Sequence, residues 1–296
     1  MRTIALEFVP PFAEGGTAAA LEEAEKVLAI SRECGIEGRI RHLMIPGMIE
    51  EDSDRPVEMK PRMEPLNAWR AVSNALSPMR GLCTQVTAFL NEAQLTERFR
   101  DLVEAGMDGI LFVGVPRTMA DGEGGGVAPT DALNLFRDLV PNRGVILIPT
   151  RSEEYGRFKF KCERGATFAM TQLLYSDRIV EFLKDFAGQT DHRPEILLSF
   201  GYVPKVESRV QLIRWLIQDP GNPLVDAEQR FIEQLAEAAF AEKKRTLLDH
   251  YKRIIDGVRE AGFEPGVHFE TPYGFAKPAF EVFAEMLEYW SPDVDA

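Results

Sequence analysis

The stretch TIALEFVPPF, residues 3–12, contains the pattern from which the fold is inferred. Large apolar side chains occupy every second position, as expected for a β-strand with two unlike faces, and two prolines end the run. The larger face is formed by Ile4, Leu6 and Phe8, and the smaller face by Ala5, Glu7 and Val9. An ionised carboxylate in such a run is costly unless it is paired, hydrated or protonated. Glu7 therefore needs a chemical explanation.

Strand-like runs of this kind recur along the chain and alternate with amphipathic helical patterns. Eight strand–helix units over 296 residues predict a single α/β domain, residues 1–296, with a (β/α)8 TIM-barrel fold. A doubly wound open sheet is the alternative. Extra long helices are expected before the last strand, over about residues 222–262. The eight runs are IALEFVP, GRIRHLMIP, RGLCTQVTAF, GILFVGV, GVILIPT, ATFAMTQLL, EILLSFG and GVHFETP.

Composition narrows the class of protein. A net charge of −13 argues against a nucleic-acid or anionic-membrane partner. The three cysteines are far apart and have no metal-ligand spacing, so neither a metal nor a disulfide framework is expected, and a reducing cytoplasm fits. No apolar run is long enough to predict a membrane span. The acidic, proline-punctuated segment 46–64 is open to two interpretations, a mobile lid or a solvated surface loop.

In a barrel of this class the chemistry lies at the C-terminal ends of the strands. The smaller face of the first strand would point into the barrel, with Glu7 near the mouth. One interpretation is a carboxylate tied to a lysine or arginine of the barrel core. The other is an acid catalyst whose pKa is raised by burial.

The segment KCERGATFAMTQLLYSD, residues 161–177, repeats this arrangement, because Gln172 lies near the end of an apolar strand. Together with LEFVPP near the N-terminus, it resembles the methylenetetrahydrofolate reductase family. The family's first-strand motif corresponds to Glu7, Phe8, Pro10 and Pro11, and its sixth-strand motif to Lys161, Gly165, Ala166, Thr171, Gln172 and Asp177. GVHFETP resembles the last barrel strand.

The sequence departs from the family's flavin enzymes at several positions. The end of strand 4 reads FVGVPRTM and lacks their aspartate, and the third and fifth strands lack their histidine and tyrosine signatures. Lys161 alone remains clearly among the usual flavin contacts. This pattern resembles a flavin-independent branch that uses NADH directly. The alternatives are an FAD-dependent reductase and a non-catalytic folate-binding barrel subunit.

The resemblance implies reduction of 5,10-methylenetetrahydrofolate to 5-methyltetrahydrofolate, a step of one-carbon metabolism that serves methionine biosynthesis. Glu7 would protonate the folate. Gln172, Gln85 and Glu270 would contact the substrate. Each has a structural alternative: the glutamines as amides that hold a neighbouring loop, and Glu270 as the partner of an arginine.

NADH is the expected hydride donor, with no flavin and no metal. The loop DGEGGGVAPTDAL, residues 121–133, follows strand 4 and would expose backbone N–H groups to a pyrophosphate. A plain flexible loop is the other interpretation. The predicted dinucleotide contacts are Lys161, Gly124, Gly125, Gly126, Thr130 and Arg117.

Overall fold

A computed structural model describes residues 3–48, 56, 60–114, 126–271 and 274–291. Eight parallel strands close into a barrel in sequence order, with helices between them. The fold is a (β/α)8 TIM barrel, as the sequence predicts, and the open sheet is excluded. The strands are β1 Ile4–Glu7, β2 His42–Ile45, β3 Arg80–Val86, β4 Met107–Val113, β5 Arg143–Leu147, β6 Phe168–Thr171, β7 Glu195–Gly201 and β8 Pro265–Glu270.

The described helices cover the outside of this barrel. They are α1 Gly16–Glu33, α2 Pro65–Val72, α3 Glu92–Glu104, α4 Pro129–Leu135, α5 Glu154–Glu163, α6 Arg178–Gln189, α7 Glu207–Leu216, α8 Pro223–Glu237, α9 Phe240–Glu260 and α10 Lys277–Tyr289. Local sequence explains several of their boundaries. At the start of α3, Asn91 and Gln94 form a capping box that satisfies backbone N–H groups at 2.9 and 3.0 Å. No helix in the described ranges is long and apolar enough to span a membrane.

The alternation in β1 separates two cores, as predicted. Leu6 packs in the large core between strands and helices, whereas Ala5 packs with the side chains that fill the barrel. Phe168 occupies the barrel interior because two neighbouring strands carry glycine. A Cβ at Gly144 would lie 2.4 Å from the Phe168 ring, and one at Gly109 would lie 3.3 Å from it. The lower interior is therefore apolar and filled.

Hydrogen bonds between polar side chains and loop carbonyls hold the N-terminal end of the barrel together. His42 Nε2 lies 3.1 Å from Asp108 Oδ2, and the Asn142 amide donates to the Asp108 carbonyl at 2.7 Å. The Arg143 guanidinium donates to loop carbonyls, among them Val140 at 2.6 Å and Gly165 at 3.0 Å. These contacts hold the loops that enter the strands.

The predicted extra helices before β8 are α8 and α9. Lys243 of α9 is buried and donates to the Val203 carbonyl, just beyond β7, at 2.6 Å. Ser176, beyond β6, donates to Glu228 of α8 at 2.5 Å. The two helices thus support the chain beyond the C-terminal ends of β6 and β7.

Candidate active site

Two glutamates lie next to each other at the mouth of the barrel. The register pairs Leu6 of β1 with Phe269 of β8, so Glu7 and Glu270 follow on adjacent strands. Because Leu6 and Phe269 both face the helices, the two glutamates face the barrel interior. Glu7 is partly exposed, and the Glu270 side chain is 14% exposed.

The environment of this pair favours the protonated form of Glu7. Burial raises the pKa of Glu7 well above the ordinary value, and the neighbouring Glu270 carboxylate raises it further. The contacts described at the mouth are the His268–Glu270 pair and the Ser199–His268 hydrogen bond, and neither joins Glu7 to a lysine or arginine. The described part of the mouth therefore supports the acid interpretation of Glu7 over the core ion pair.

A polar chain lies directly below Glu270. His268 Nδ1 is 3.0 Å from Ser199 Oγ and 3.3 Å from Glu270 Oε1. Ser199 uses its hydroxyl hydrogen on the Thr171 carbonyl at 2.9 Å, so its oxygen accepts from His268. Nδ1 therefore carries the hydrogen, which points toward both Ser199 and Glu270. His268 is a buried strand histidine, and it also orients Glu270.

Tyr175 was missed by the sequence analysis, although it lies in the quoted segment. Its side chain is buried, and its hydroxyl has no hydrogen-bond partner among the described residues. The hydroxyl lies over Gly201, where an added Cβ would be 2.7 Å from it. Gly201 pairs in register with Glu270, so the hydroxyl lies on the Glu270 side of the carboxyl pair.

The two predicted glutamine contacts differ in position. Gln172 follows the end of β6, and its amide donates to the Leu216 carbonyl of α7. This contact matches the alternative of an amide that holds a neighbouring element, and the side-chain oxygen remains as an acceptor. Gln85 pairs in register with Phe112 and lies on the helix side of β3, where its amide donates to the Val86 carbonyl at 2.8 Å. That position gives a substrate role of Gln85 no support.

A cavity of about 510 Å³ opens between β4 and β5. The two strands pair at Ile110–Arg143 and Leu111–Gly144. Closer to their C-terminal ends, residues of both strands line the cavity. This cavity, which we call the seam, is lined by side chains from both faces of the two strands. The cavity lining comprises Phe112, Val113, Gly114, Pro129, Thr130, Val145, Ile146, Ile148, Arg151, Arg157, Phe160 and Lys161.

The seam brings together two of the predicted dinucleotide contacts, Lys161 and Thr130. Lys161 Nζ donates to the Ile146 carbonyl at 2.7 Å and lies 3.3 Å from Glu154 Oε1. An ammonium group has three donors, so one remains for a ligand. Burial lowers the pKa of Lys161, and the Glu154 carboxylate opposes that effect.

Glu154 is a second residue that sequence reasoning missed. Its side chain is fully buried and accepts two hydrogen bonds from Arg151, at 2.7 and 2.5 Å. The Arg-x-x-Glu spacing at the start of α5 is the sequence signal that would have indicated it. Glu154 therefore fixes the directions of Arg151 and Lys161 on one wall of the seam.

The glycine loop is only partly described. Gly124, Gly125 and Arg117 lie outside the described residues. A Cβ at Gly126 would lie 2.0 Å from the Ala88 carbonyl oxygen, so glycine is required there for close backbone packing. Helix α4, which follows, has only seven residues, and the groups suited to an anion are the cations that line the seam.

The fold and the mouth define this chain as a (β/α)8 barrel with a carboxyl pair at the C-terminal ends of β1 and β8. Its sequence matches the family model of mycobacterial methylenetetrahydrofolate reductase over residues 1–294, and the chain belongs to that family. A search of curated proteins finds no match.

One solved structure confirms the barrel fold. It is an uncharacterized protein from Clostridium thermocellum described as binding two copies of 5-methyl-5,6,7,8-tetrahydrofolic acid. It superposes with a TM-score of 0.66 at 15% identity, over 97% of this chain and 95% of the other. An aldolase aligns less well, with a TM-score of 0.42 at 15% identity, over 72% of this chain and 86% of the other.

Proposed function

We propose that this protein reduces 5,10-methylenetetrahydrofolate to 5-methyltetrahydrofolate by direct hydride transfer from NADH, without a flavin. The observation that carries the proposal is the position of Glu7 at the mouth of the barrel next to Glu270, where burial raises the pKa of Glu7. A separate cavity, the seam, opens between β4 and β5. The mouth of the barrel suits the folate, and the seam suits a dinucleotide.

Glu7 supplies the proton that opens the folate ring. The bond between N10 and the methylene carbon breaks as N10 takes the proton, which leaves an iminium cation at N5. The Glu7 carboxylate, with Glu270 beside it, then lies next to a positive charge and stabilises it. Hydride from the nicotinamide C4 adds to the methylene carbon and yields 5-methyltetrahydrofolate and NAD⁺.

Family membership and the folate bound by the Clostridium thermocellum neighbour support folate as the substrate. Glu270 has the chemistry to accept from the amino and N3–H groups of a pterin, which would replace the missing strand-4 aspartate. The free oxygen of the Gln172 amide is a second acceptor.

The seam suits NADH because it combines apolar walls with cations. Val113, Ile146 and Phe160 offer surfaces for flat rings, and Arg157 and Lys161 offer charge for a pyrophosphate. Direct transfer requires the nicotinamide C4 to come within about 3–3.5 Å of the methylene carbon. A dinucleotide in the seam would approach the mouth through the gap between β4 and β5.

A flavin enzyme of the same family is the second candidate, because the same seam has room for the isoalloxazine of FAD. The sequence departures at strands 3, 4 and 5 argue against it. A flavin enzyme would be yellow and would store reducing equivalents on its flavin, whereas the flavin-independent enzyme would be colourless and would store none.

The deciding experiment measures NADH oxidation by flavin-stripped protein, with and without methylenetetrahydrofolate. We expect a colourless protein that oxidises NADH only when folate is present and gains nothing from added FAD. Double-reciprocal plots should intersect, since both substrates must be bound together. A yellow protein whose activity follows its flavin content, or parallel plots, would refute the flavin-independent mechanism.

A further inference from the structure

The hydroxyl of Tyr175 is a buried polar group with no partner among the described residues. Such groups are rare, because an unmade hydrogen bond in the interior costs free energy. A phenylalanine would fill the same space without that cost. Packing alone therefore does not explain why a tyrosine occupies this position.

The position of the hydroxyl is set by a glycine. Because Gly201 has no side chain, the Tyr175 ring reaches across the end of β7, and its hydroxyl lies where a Cβ would be 2.7 Å away. Glu270 is the register partner of Gly201 on β8. The negative charge of Glu270 is also the larger of the two carboxylate influences that raise the pKa of Tyr175, after burial.

Glu270 has few donors to stabilise its negative charge. The described neighbours offer the Nδ1 hydrogen of His268 at 3.3 Å, and that hydrogen is shared with Ser199 at 3.0 Å. A shared donor at this distance is weak. The Tyr175 hydroxyl lies over Gly201, the register partner of Glu270, and is a donor with no other partner among the described residues.

We propose that Tyr175 is a positioning residue whose hydroxyl donates a hydrogen bond to Glu270 and thereby keeps the proton of the carboxyl pair on Glu7. The consequence for the reaction is that the proton stays on the residue that delivers it. After Glu7 has given up its proton, the same hydrogen bond helps two adjacent carboxylates to remain ionised. The inference rests on the proposed role of Glu7 as the proton donor.

The titratable groups around the pair come from four elements. Glu7 lies on β1, His268 and Glu270 on β8, Tyr175 beyond β6, and Glu228 on α8. Glu228 is the competing acceptor for Tyr175, but it already accepts from Ser176 at 2.5 Å. Glu270 is therefore the acceptor in greater need of a donor.

The test is a pH titration of the unliganded protein, followed by NMR of ¹³C-labelled glutamate carboxyl groups. Signals of the pair are assigned with Glu7→Gln and Glu270→Gln. In Tyr175→Phe we expect the pair to lose its first proton about one pH unit higher, because a donor to the charged form is gone. The proton should also move from Glu7 toward Glu270.

Two controls keep the result specific. Tyr289→Phe removes a hydroxyl that donates to Asp256 at 2.7 Å on the outer surface of the barrel, and it should leave the titration unchanged. Glu228→Gln should also leave it unchanged. Replacing Tyr175 with 3-fluorotyrosine keeps the shape but strengthens the donor, so the first proton should be lost at lower pH.

An unchanged titration in Tyr175→Phe, or a shift to lower pH, would overturn the proposal. So would a shift in Glu228→Gln as large as that in Tyr175→Phe. Because the titration needs no substrate, its outcome is separate from the proposed function. A protein without reductase activity would still show whether Tyr175 controls the pair.

Discussion

Glu7 and Glu270 are neighbours on adjacent strands of the barrel, and both face its mouth. Two carboxyl groups so placed repel each other when both are ionised, so one of them holds a proton more strongly. Burial makes Glu7 such a group. A cation that forms between them would relieve the repulsion, which is the charge change that ring opening of the folate requires.

Replacing Glu7 with glutamine tests the chemical role of the acid. The amide keeps the shape but cannot deliver a proton, so turnover with NADH and methylenetetrahydrofolate should fall by about 10²–10⁴. Glu14→Gln, in the exposed turn after β1, is the matched control and should keep full activity. Near-normal turnover by a folded Glu7→Gln variant would assign Glu7 to structure.

The same substitution should stabilise the fold at high pH. The pKa of Glu7 is higher in the folded than in the unfolded protein, so the wild type loses stability as the pH rises above the ordinary value of about 4.3. The glutamine variant escapes this loss. Urea unfolding at pH 5 and pH 8.5 should show a gain for Glu7→Gln that is larger at pH 8.5. An equal gain at both values would contradict the raised pKa.

Lys161→Met should weaken NADH binding more than folate binding. The substitution keeps the apolar stem and removes the charge that faces the seam, so the apparent KM for NADH should rise about tenfold. Lys159→Met, on the same helix, removes an exposed partner of Glu163 and is the control. A rise confined to the KM for folate would place the dinucleotide elsewhere.

His250 should make the protein sensitive to acid. Burial is the main cause that lowers its pKa to about 4, and its Nε2 lies 3.2 Å from the Leu174 carbonyl. The unfolded protein binds the proton near pH 6.5, so stability is lost as the pH falls from about 6.5 to 4, by up to about 3 kcal/mol.

The variant His250→Gln should flatten the dependence of the unfolding free energy on pH in that interval. His192→Gln, in the partly exposed loop before β7, changes a histidine without this burial and serves as the control. If both variants keep the full acid dependence, another group is responsible for it.

Local pattern predicted much of the fold and part of the site. The alternation around Glu7 is contained in ten residues, so the strand, its inward face and the place of the carboxyl group could be inferred from them. Gln85 was harder, because RGLCTQVTAF has apolar and polar side chains on both faces and nothing in the run says which face is inside.

Long-range features could not be predicted. The position of the Tyr175 hydroxyl depends on Gly201 of β7, which leaves space for it. The seam depends on where β4 and β5 stop pairing. Both follow from register between segments 26 and 33 residues apart, which a single sequence does not specify.

The polar contacts at the N-terminal end of the barrel have a practical consequence for handling the protein. They are the contact of His42 with Asp108 and the hydrogen bonds of the Arg143 guanidinium to loop carbonyls. They hold the barrel at the end opposite to the mouth. An attachment point beside that end, such as a cysteine in place of the exposed Glu104 at the end of α3, would fix the protein to an electrode or a sensor surface with its mouth directed to solution.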